Sequence, residues 1–523
     1  HIIRFFEDLD IVLTKNLNIW IINLPNMVRI SEIASQNLWW KHGKDFARYD
    51  RLLSKARDNP IFFTRRDFET IKENIYIIRG CRQVGKTTYL KEMIGKLINE
   101  GFDPKRILYL SLDFFVSRRE LRNAVNYFLD INKEAEDLYI FLDEITSIQD
   151  WNLELKYLSD SGIIKRTKII ATGSSGVALR RKAELLPGRG LEGNEYYIKP
   201  LSCREFVLQT VDYIKAHAEE KEFYDSLDRL KTSLNKTTID LNWDLDRIYE
   251  RVSRIAPFKK ELEYLLRIYL TTGGFPQAVN DYLRKFAEKK VDPTLAEMFI
   301  RNMLGDVAKL GKQETFARQI LREIINKYGT RYSFRKLAGD IESTHPTTID
   351  YLELLEESFV LTVLHSYDFN KKDIKFKGDK KVYLQDPFIF YSLESFLTGK
   401  NINDVIAETL QDEKLLSEII EGIVCSHLIM NKEIPILREP KTFLWFYYDT
   451  RGKEINHVLR TDESYLGIEV KYQSSVSFKD ISTVSQIEKY IILSKEDIGK
   501  EENILIVPVE LFLVLIETSN RNL

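Results

Sequence analysis

Cysteine is scarce in this chain, with only three such residues among 523. Cys81, Cys203 and Cys425 lie far apart in unrelated contexts. Neither a disulfide framework nor a zinc site with short ligand spacing is therefore predicted. This cysteine usage is typical of a reducing compartment, and we expect a cytoplasmic protein.

The sequence also lacks an apolar run long enough to cross a bilayer, so no membrane association is expected. It has little net charge, because 77 Lys and Arg residues nearly balance 79 Asp and Glu residues. Any nucleic-acid surface must then be a local cluster of Lys and Arg. The Lys-, Ile-, Tyr- and Glu-rich composition is typical of archaeal or thermophilic proteins.

The alternation of apolar runs and amphipathic stretches between residues 75 and 199 predicts an α/β domain with a parallel sheet between helices. The full length of 523 residues suits roughly three to five domains. Strands are predicted at Ile75–Ile78, Ile107–Leu112, Leu138–Leu142 and Lys168–Ala171, and helices at Lys86–Glu100, Arg118–Leu129 and Trp151–Ser161.

A complete phosphate-binding motif, G-x-x-x-x-G-K-[ST], follows the first predicted strand and opens the first helix. In such a loop, inward-facing backbone N–H groups and the helix N-terminus bind phosphate. Lys86 is predicted to reach the β- and γ-phosphates of ATP, and Thr87 to bind Mg²⁺. The predicted ATP-binding residues are Gly80, Cys81, Arg82, Gln83, Val84, Gly85, Lys86, Thr87 and Thr88.

An acidic pair ends the third predicted strand, Leu138–Leu142. Asp143 at the lip of this buried strand is expected to hold Mg²⁺ beside the phosphate loop. Glu144, the next residue, points differently and is predicted to act as the general base that polarises the attacking water. The pair therefore predicts ATP hydrolysis.

Polar residues after the fourth predicted strand are further candidates. Thr172 or Ser174 could sense the γ-phosphate or align water, although Ser174 and Ser175 could equally cap a helix. Arg189 could be an arginine finger, acting within the subunit or on a neighbour, or a solvated loop residue.

Several dispersed motifs together resemble an archaeal and bacterial AAA-type ATPase family whose members carry a C-terminal nuclease-like domain. They are Gly80–Thr88, Asp143-Glu144-Ile145 followed by Trp151, Ala171–Ser175, Pro200-Leu201-Ser202 with Glu205-Phe206, and Gly273–Pro276. The resemblance implies a five-stranded core with an additional strand between the phosphate-loop strand and the acidic strand. It also implies a helical lid and the capacity to form homo-oligomers.

The chain divides on these patterns into five predicted regions. They are an N-terminal extension (1–65), a P-loop ATPase core (66–210), a helical lid (211–310), a winged helix (311–395) and a restriction-endonuclease-like α/β domain (396–523). In the extension, Trp39 and Trp40 are expected to pack on the ATPase core rather than stack on a base. Arg65 and Arg66 could be solvated or touch phosphate.

The winged helix is predicted from helices at Phe316–Tyr328, Ser333–Ile341 and Pro346–Glu357 and a hairpin returning at Lys381–Gln385. Ser333 and Thr347 are expected to start helices. A projecting lysine-rich hairpin is a candidate phosphate-contacting surface, although charged hairpin tips are often merely solvated. The predicted DNA contacts are Thr347, Thr348, Lys371, Lys372, Lys375 and Lys377, with Lys380 and Lys381 crowding the same hairpin.

The C-terminal strands predict a nuclease-like site whose composition indicates that it is inactive. Glu469 and Lys471 resemble the E-x-K half of the restriction-endonuclease motif, and Glu421 lies on the preceding helix. Asn456 stands where a metal-binding Asp is expected, and a neutral amide is a weaker ligand for Mg²⁺. His457 or Glu454 could substitute, or Glu469 and Lys471 could be a plain surface pair.

The sequence thus predicts an AAA-type ATPase that uses ATP and Mg²⁺ to bind or remodel DNA, with branched or mobile-element DNA as the suggested substrate class. Two alternatives stay open at this point. One is a nucleotide-regulated switch that binds protein partners, and the other is an ATP-licensed, Mg²⁺-dependent nuclease.

Overall fold

The computed structural model describes residues 30–65, 74–173, 194–217, 221–431, 440–462 and 464–517. Secondary-structure elements are numbered here in chain order over these residues. Within them, no helix is both long and apolar enough to span a membrane.

The predicted ATPase core contains a five-stranded parallel sheet in the order β2-β3-β4-β1-β5. The strands consist almost entirely of buried residues, as expected for a parallel sheet covered on both faces. β4 lies between β1 and β3, which confirms the predicted additional strand. Positions were predicted for four of the five strands; the position of the three-residue β5 was not. The strands are β1 (Ile75–Arg79), β2 (Ile107–Ser111), β3 (Leu138–Asp143), β4 (Thr167–Thr172) and β5 (Glu195–Tyr197).

Three helices connect these strands, close to their predicted positions. They begin where local chemistry favours a start: after Gly85 in the left-handed conformation, or at Ser117, whose hydroxyl accepts from Glu120 N. Their apolar faces pack on the sheet. They are α4 (Lys86–Asn99), α5 (Arg118–Ile131) and α6 (Trp151–Asp160).

The N-terminal helices α1 (Ile30–Gln36), α2 (Trp39–His42) and α3 (Arg51–Arg57) precede the core, and the segment from Gln36 to Trp40 covers the free edge of β2. Asn37 donates to the Tyr109 carbonyl and accepts from its N–H, at 2.9 and 2.7 Å. The indoles of Trp39 and Trp40 both donate to the Ile107 carbonyl. Gln36 accepts from Ser111 N. The two tryptophans thus pack on the core, as predicted.

A helical region follows the core. Its Gly273-Gly274 turn contacts two other regions: Gly274 N donates to the buried Asp386 carboxylate at 2.8 Å, and Leu201 N donates to the Gly274 carbonyl at 2.7 Å. This arrangement ties the helical region to the core and to the hairpin region. The helices are α7 (Cys203–His217), α8 (Lys221–Lys236), α9 (Leu245–Ile255), α10 (Lys259–Thr272), α11 (Pro276–Arg284) and α12 (Pro293–Lys309).

Three helices and a small antiparallel sheet, ordered β6-β10-β7, form the next region. Ser333 caps its second helix, as predicted. Thr344 rather than Thr347 caps the third, because the helix begins at His345. The elements are α13 (Glu314–Asn326), β6 (Arg331–Tyr332), α14 (Phe334–Asp340), α15 (His345–Glu357), β7 (Leu361–His365), β8 (Tyr367–Asp368), β9 (Asp373–Ile374) and β10 (Lys380–Leu384).

The hairpin β7–β10 does not project as a free ribbon, contrary to the prediction. Tyr367 stacks on Trp445 of the C-terminal sheet, with ring centroids 4.2 Å apart, and Phe369 packs against Tyr465. Only its tip remains exposed. The hairpin base is therefore part of an interface with the last region.

The last region packs helices against a six-stranded mixed sheet, ordered β11-β12-β13-β14-β16-β15. The three strands predicted here are present, and β14 to β16 extend the sheet. The strands are β11 (Leu444–Tyr448), β12 (Glu454–Arg460), β13 (Tyr465–Val470), β14 (Lys489–Ser494), β15 (Gly499–Glu501) and β16 (Ile504–Pro508). The helices are α16 (Pro387–Thr398), α17 (Ile402–Gln411), α18 (Glu413–Asn431) and α19 (Val509–Leu515).

Candidate active site

The loop from Gly80 to Gly85 joins β1 to α4, and two glycines fix its path. A Cβ atom at Gly80 would lie 2.0 Å from the Ile198 carbonyl oxygen, so only glycine fits there. Gly85 has φ +94°, a conformation that side-chain-bearing residues rarely adopt. The loop is thus held at the carboxyl end of β1, where the first turn of α4 begins.

Lys86 is the first residue of α4 and is 6% exposed. Its ammonium donates to the carbonyl oxygens of Gly80 and Cys81, both at 3.0 Å, and so lies inside the loop. Thr87 and Thr88 follow in the first helical turn and are half-buried, as is Gln83. Val84 is buried.

Cys81 is not suited to be a nucleophile. Its side chain is buried, and burial raises the pKa of the thiol to about 12. The thiol therefore stays protonated at neutral pH, and this residue is part of the buried core.

Arg82 connects the loop to the helical region. Its guanidinium forms a two-pronged ion pair with Asp306 on α12. The Asp306 hydrogen bonds raise the pKa of Arg82, so the guanidinium keeps its charge. An arginine in this position can exchange a carboxylate partner for phosphate oxygens, because a carboxylate and a phosphate group each offer two oxygens to the guanidinium.

Asp143 ends β3 and is 3% exposed. One carboxylate oxygen accepts from the Thr172 hydroxyl at 2.5 Å, and the other accepts from the Tyr109 hydroxyl at 2.8 Å. Burial, and then the Asp143 charge, raise the pKa of Tyr109, which therefore remains a donor. The carboxylate is thus fixed by neighbours on both adjoining strands.

The strand register brings Asp143 level with the end of β1. Leu142 pairs with Ala171, and Thr172 pairs with Ile78. Because neighbouring strands are about 4.8 Å apart, Asp143 lies roughly 10 Å across the sheet from the strand that feeds the phosphate loop.

Glu144 leaves the strand in the left-handed conformation, with φ 55° and ψ 46°. Its backbone N–H donates to the Thr172 hydroxyl at 3.1 Å. This turn gives its half-buried side chain a different direction from that of Asp143. The two acids are therefore adjacent in sequence but separate in orientation.

Thr172 has a different environment from the one predicted. It is fully buried, and its hydroxyl is used by Asp143 and by Glu144 N. The hydroxyl therefore positions the two acids, and its role as a γ-phosphate sensor or water-aligning group stays a prediction.

For Arg65, the sequence left open whether the side chain is solvated or touches phosphate. Its guanidinium donates to the Val84 carbonyl of the phosphate loop at 3.2 Å. The N-terminal extension thus reaches the nucleotide loop directly. No motif marks this arginine, and only its place just before the core strand hinted at it. The candidates Arg66, Ser174, Ser175 and Arg189 lie outside the described residues.

The residues predicted to contact DNA lie in different environments. Thr348 is fully buried and its hydroxyl donates to the Thr344 carbonyl, so it is corrected to a core residue. The Thr347 hydroxyl is hydrogen-bonded to that of Thr344. Lys371, Lys372 and Lys377 are exposed at the hairpin tip.

The other lysines of the hairpin are not free surface groups. Lys375 is half-buried, with its ammonium 4.9 Å from the centroid of the Tyr448 ring. Lys380 and Lys381 are 6% and 2% exposed, which contradicts their prediction as part of a phosphate-contacting lysine surface. Alternating positions on a strand point to opposite faces, but both faces of β10 are covered here.

Lys381 enters the predicted nuclease-like site. Its ammonium lies 2.8 Å from carboxylate oxygens of both Glu421 and Glu454. Burial by itself would raise the pKa of Glu421, but the Lys381 and His457 charges and the hydrogen bonds from Lys381 and Tyr383 together hold that pKa below its usual range. A buried cation from the hairpin thus neutralises two of the acids.

The remaining residues of this site are bonded to one another. Glu469 accepts from Asn456 N at 3.0 Å and pairs with Lys471 at 3.1 Å. The Asn456 side-chain oxygen accepts from Val470 N at 2.9 Å. In the described part of the chain, no group of three or more His, Cys, Asp or Glu side chains is arranged to hold a metal ion.

Comparison with protein families identifies the class to which the core belongs. Residues 72–207 match the family model described as an AAA domain. These residues are therefore similar to AAA domains, and they contain the parallel sheet with its phosphate-binding motif. Residues 263–400 and 416–512 match models of two domains of unknown function, DUF8612 and DUF4143.

Relatives are similar along much of the chain. An uncharacterized protein of Methanocaldococcus jannaschii is 26% identical over 487 residues, covering 91% of both chains. An uncharacterized protein of Haemophilus influenzae is 25% identical over 325 residues, covering 60% of this chain and 67% of its own length.

Matches to solved structures are weak. The Orc1 protein of Aeropyrum pernix, solved in complex with DNA, is 12% identical, with a TM-score of 0.28 and coverage of 73% of this chain and 95% of that chain. A RuvB variant of Thermotoga maritima is 15% identical, with a TM-score of 0.25 and coverage of 65% and 92%.

Proposed function

We propose that this chain hydrolyses ATP at the carboxyl edge of the parallel sheet. The observation that carries the proposal is the arrangement of Asp143 and Glu144 beside the loop that holds the Lys86 ammonium. A loop of this kind binds a triphosphate, and two differently directed acids supply a metal-binding group and a base.

Thr87 and Asp143 fit Mg²⁺ as ligands, because a hydroxyl and a carboxylate are the hard oxygen donors that this ion prefers. When bound, Mg²⁺ neutralises phosphate charge. The protein contributes a carboxylate whose direction is fixed by Tyr109 and Thr172. Such fixed geometry reduces the reorganisation needed when nucleotide binds.

Glu144 is the proposed general base. Its backbone is held by Thr172, so the carboxylate leaves the strand end at a defined angle. From there it would orient a water molecule and accept its proton as the water attacks the γ-phosphate. General-base catalysis of this kind contributes roughly 10²–10⁴-fold to a rate.

Two variants separate binding from hydrolysis. Lys86→Ala should abolish ATP binding, since it removes the cation inside the loop. Glu144→Gln should retain ATP but lose about 10²–10⁴-fold in turnover. Binding is followed with a fluorescent ATP analogue, and turnover by phosphate release.

Glu134→Gln, at an exposed acid outside the site, is the matched control and should behave like the parent chain. Undiminished turnover in Glu144→Gln would remove the base assignment. Undiminished ATP binding in Lys86→Ala would overturn the site itself.

We propose further that the ATPase acts on DNA through the hairpin tip, in a region whose order of helices and strands is that of a winged helix. The exposed lysines Lys371, Lys372 and Lys377 support this. Helix α15, which would be the recognition helix, opposes it in part: it carries Asp350, Glu353, Glu356 and Glu357 and no Lys or Arg. The proposed contact is therefore with backbone phosphates rather than base edges.

Salt dependence tests this contact. Replacing Lys371, Lys372 and Lys377 with Gln should weaken binding to duplex, single-stranded and four-way DNA alike. It should also lower the slope of log affinity against log salt by up to about 3, because about one counterion is released per phosphate neutralised. Unchanged binding, or no binding by the parent chain, would favour the alternative of a switch that binds protein partners.

The third alternative, an ATP-licensed nuclease, is disfavoured by the Lys381 ammonium between Glu421 and Glu454. A plasmid cleavage assay with ATP and Mg²⁺ tests it, with Glu469→Ala as the control.

We also retain the proposal of a homo-oligomer with Arg189 acting on a neighbouring subunit. If ATP increases the mass of the particle but Arg189→Ala hydrolyses ATP as fast as the parent chain, Arg189 does not have that role.

A further inference from the structure

A cavity of about 440 Å³ lies between the ATPase core and the hairpin region. The last residue of β5, Tyr197, and Lys199 just after it form one wall. Helix α15 and strand β7 form the opposite side. This volume is within the range of pockets that hold small organic molecules, roughly 300–1,000 Å³.

Lys199 faces this cavity without a partner of its own. Over the residues that the structure describes, neither a carboxylate nor a hydrogen-bond acceptor lies within bonding distance of its ammonium. Burial lowers the pKa of Lys199 to about 8. A half-buried cation is costly unless it is paired, and an anion in the cavity would supply the missing charge.

The walls around Lys199 are largely apolar. Phe334, Phe359, Ile349 and Leu352 line the cavity. Lys380, another lining residue, is not available, because its ammonium donates to the Phe376 and Gly378 carbonyls. Arg79, a further lining cation, pairs with Glu195, and Lys441 has an interaction of its own, so Lys199 is the cation best placed to receive a ligand.

The α15 wall also carries acidic groups, and these restrict the ligand further. Glu356 accepts from Val363 N at 2.9 Å, and Glu353 is exposed. A ligand with its negative charge spread over a large body would be repelled by this wall. A single anionic group directed towards Lys199, with an apolar body between the walls, would avoid it.

We propose that this cavity binds a small organic anion with a flat, apolar body, its anionic group paired with Lys199. The site is distinct from the phosphate loop but joined to it. Ile198 N donates to the Arg79 carbonyl at 2.7 Å, and the Ile198 carbonyl closes on Gly80. A ligand on Lys199 therefore acts one residue away from the backbone that shapes the loop.

Chemical labelling of the unaltered chain tests the proposal without relying on ATP hydrolysis. The probe is pyridoxal phosphate, a flat aromatic anion whose aldehyde forms an imine with a neutral lysine. Labelling is carried out at about pH 8, with ATP and Mg²⁺ present to cover Lys86. The imine is reduced with borohydride and mapped by peptide mass spectrometry.

Lys199 should be labelled at least about tenfold faster than the exposed Lys309, and naphthoate, a flat anion without an aldehyde, should protect it. A tenfold difference corresponds to about 1.4 kcal/mol of preferential binding. Labelling of Lys199 at or below the rate of Lys309, or no protection by naphthoate, would overturn the proposal.

A variant pair provides the second measurement. Lys199→Met should bind naphthoate at least about tenfold more weakly than the parent chain, whereas Lys309→Met should bind it equally. Equal affinity in both variants would show that Lys199 does not hold the anion. Labelling failure with normal ATP turnover would reject this site and leave the proposed function intact.

Discussion

At the scale of single residues, one hydroxyl group organises the acidic pair. Thr172 donates to Asp143 and accepts from the backbone of Glu144. We expect Thr172→Val to lower kcat about 10–100-fold with a smaller change in KM for ATP, because it leaves a backbone N–H unpaired at a cost of about 1–3 kcal/mol. Steady-state phosphate release measures this effect.

Thr172→Ser retains the hydroxyl and is the matched control. It should recover most of the parent turnover. A Val variant as active as the Ser variant would mean that the hydroxyl does not position the acids, even if both variants fold normally.

His427 makes stability depend on pH. Its Nε2 accepts from Cys203 N at 2.8 Å, and burial lowers the pKa of the imidazole to about 4 from 6.5. The unfolded chain then binds the proton more tightly, so this contribution is complete above about pH 6.5 and is lost as pH falls towards 4. It amounts to about 3 kcal/mol.

Urea unfolding at about pH 7 and about pH 4.5 tests this linkage. The loss of unfolding free energy on acidification should be smaller in His427→Gln than in the parent chain, since glutamine does not titrate. An identical loss in both would assign the acid sensitivity to other groups, such as His457, whose pKa burial also lowers to about 4.

The sequence predicted the residues of the phosphate loop and the acidic pair because their spacing is fixed by ligand chemistry. It did not predict the burial of Thr348, Lys380 and Lys381. The reason is physical: a charged side chain at a strand position is assigned to solvent unless its partner is known. The partners of Lys381 are Glu421 and Glu454, 40 and more positions away.

At the scale of elements, helix α12 is held to the phosphate loop by the Arg82–Asp306 pair. A triphosphate in the loop would compete with Asp306 for the guanidinium, and the carboxylate also repels phosphate. We expect Asp306→Asn to tighten ATP binding about 3–10-fold, a free-energy change of about 0.7–1.4 kcal/mol. A fluorescent ATP analogue reports the Kd.

Glu297→Gln provides the control on the same helix, at an exposed acid that pairs with Arg301. It should leave the Kd unchanged. Weaker ATP binding in Asp306→Asn would instead mean that the pair shapes the loop for nucleotide rather than competing with it.

Long apolar runs made most strands and helices of the core predictable, because a buried parallel strand has a strong compositional signal. The three-residue β5 (Glu195–Tyr197) has none: it contains a charged residue that is buried only because Glu195 pairs with Arg79. The packing of the hairpin on β11 could not be predicted from the sequence either, since it depends on aromatic contacts between distant segments.

At the scale of the whole molecule, the Gly273-Gly274 turn joins three regions. A Cβ atom at Gly274 would lie 2.1 Å from the Leu201 carbonyl oxygen. Gly274→Ala should therefore destabilise the chain by about 2–3 kcal/mol, since backbone must move to make room. Gly305→Ala is the matched control, because nothing lies within 4 Å of a Cβ there and α12 gains a better helix former.

Thermal unfolding compares the two alanine variants. The first should unfold at a lower temperature than the parent chain and the second at an equal or higher one. A Gly274→Ala variant of parent stability would show that the turn yields locally and does not connect the regions rigidly.

The N-terminal segment that covers the outer strand β2 affects how the protein behaves once that segment is removed. Gln36, Asn37, Trp39 and Trp40 occupy the outward-facing peptide groups of β2 at Ile107, Tyr109 and Ser111. A fragment trimmed of residues 30–65 would offer those groups to any extended chain nearby. Its mass in light scattering should rise with concentration, through copies that add strand to strand.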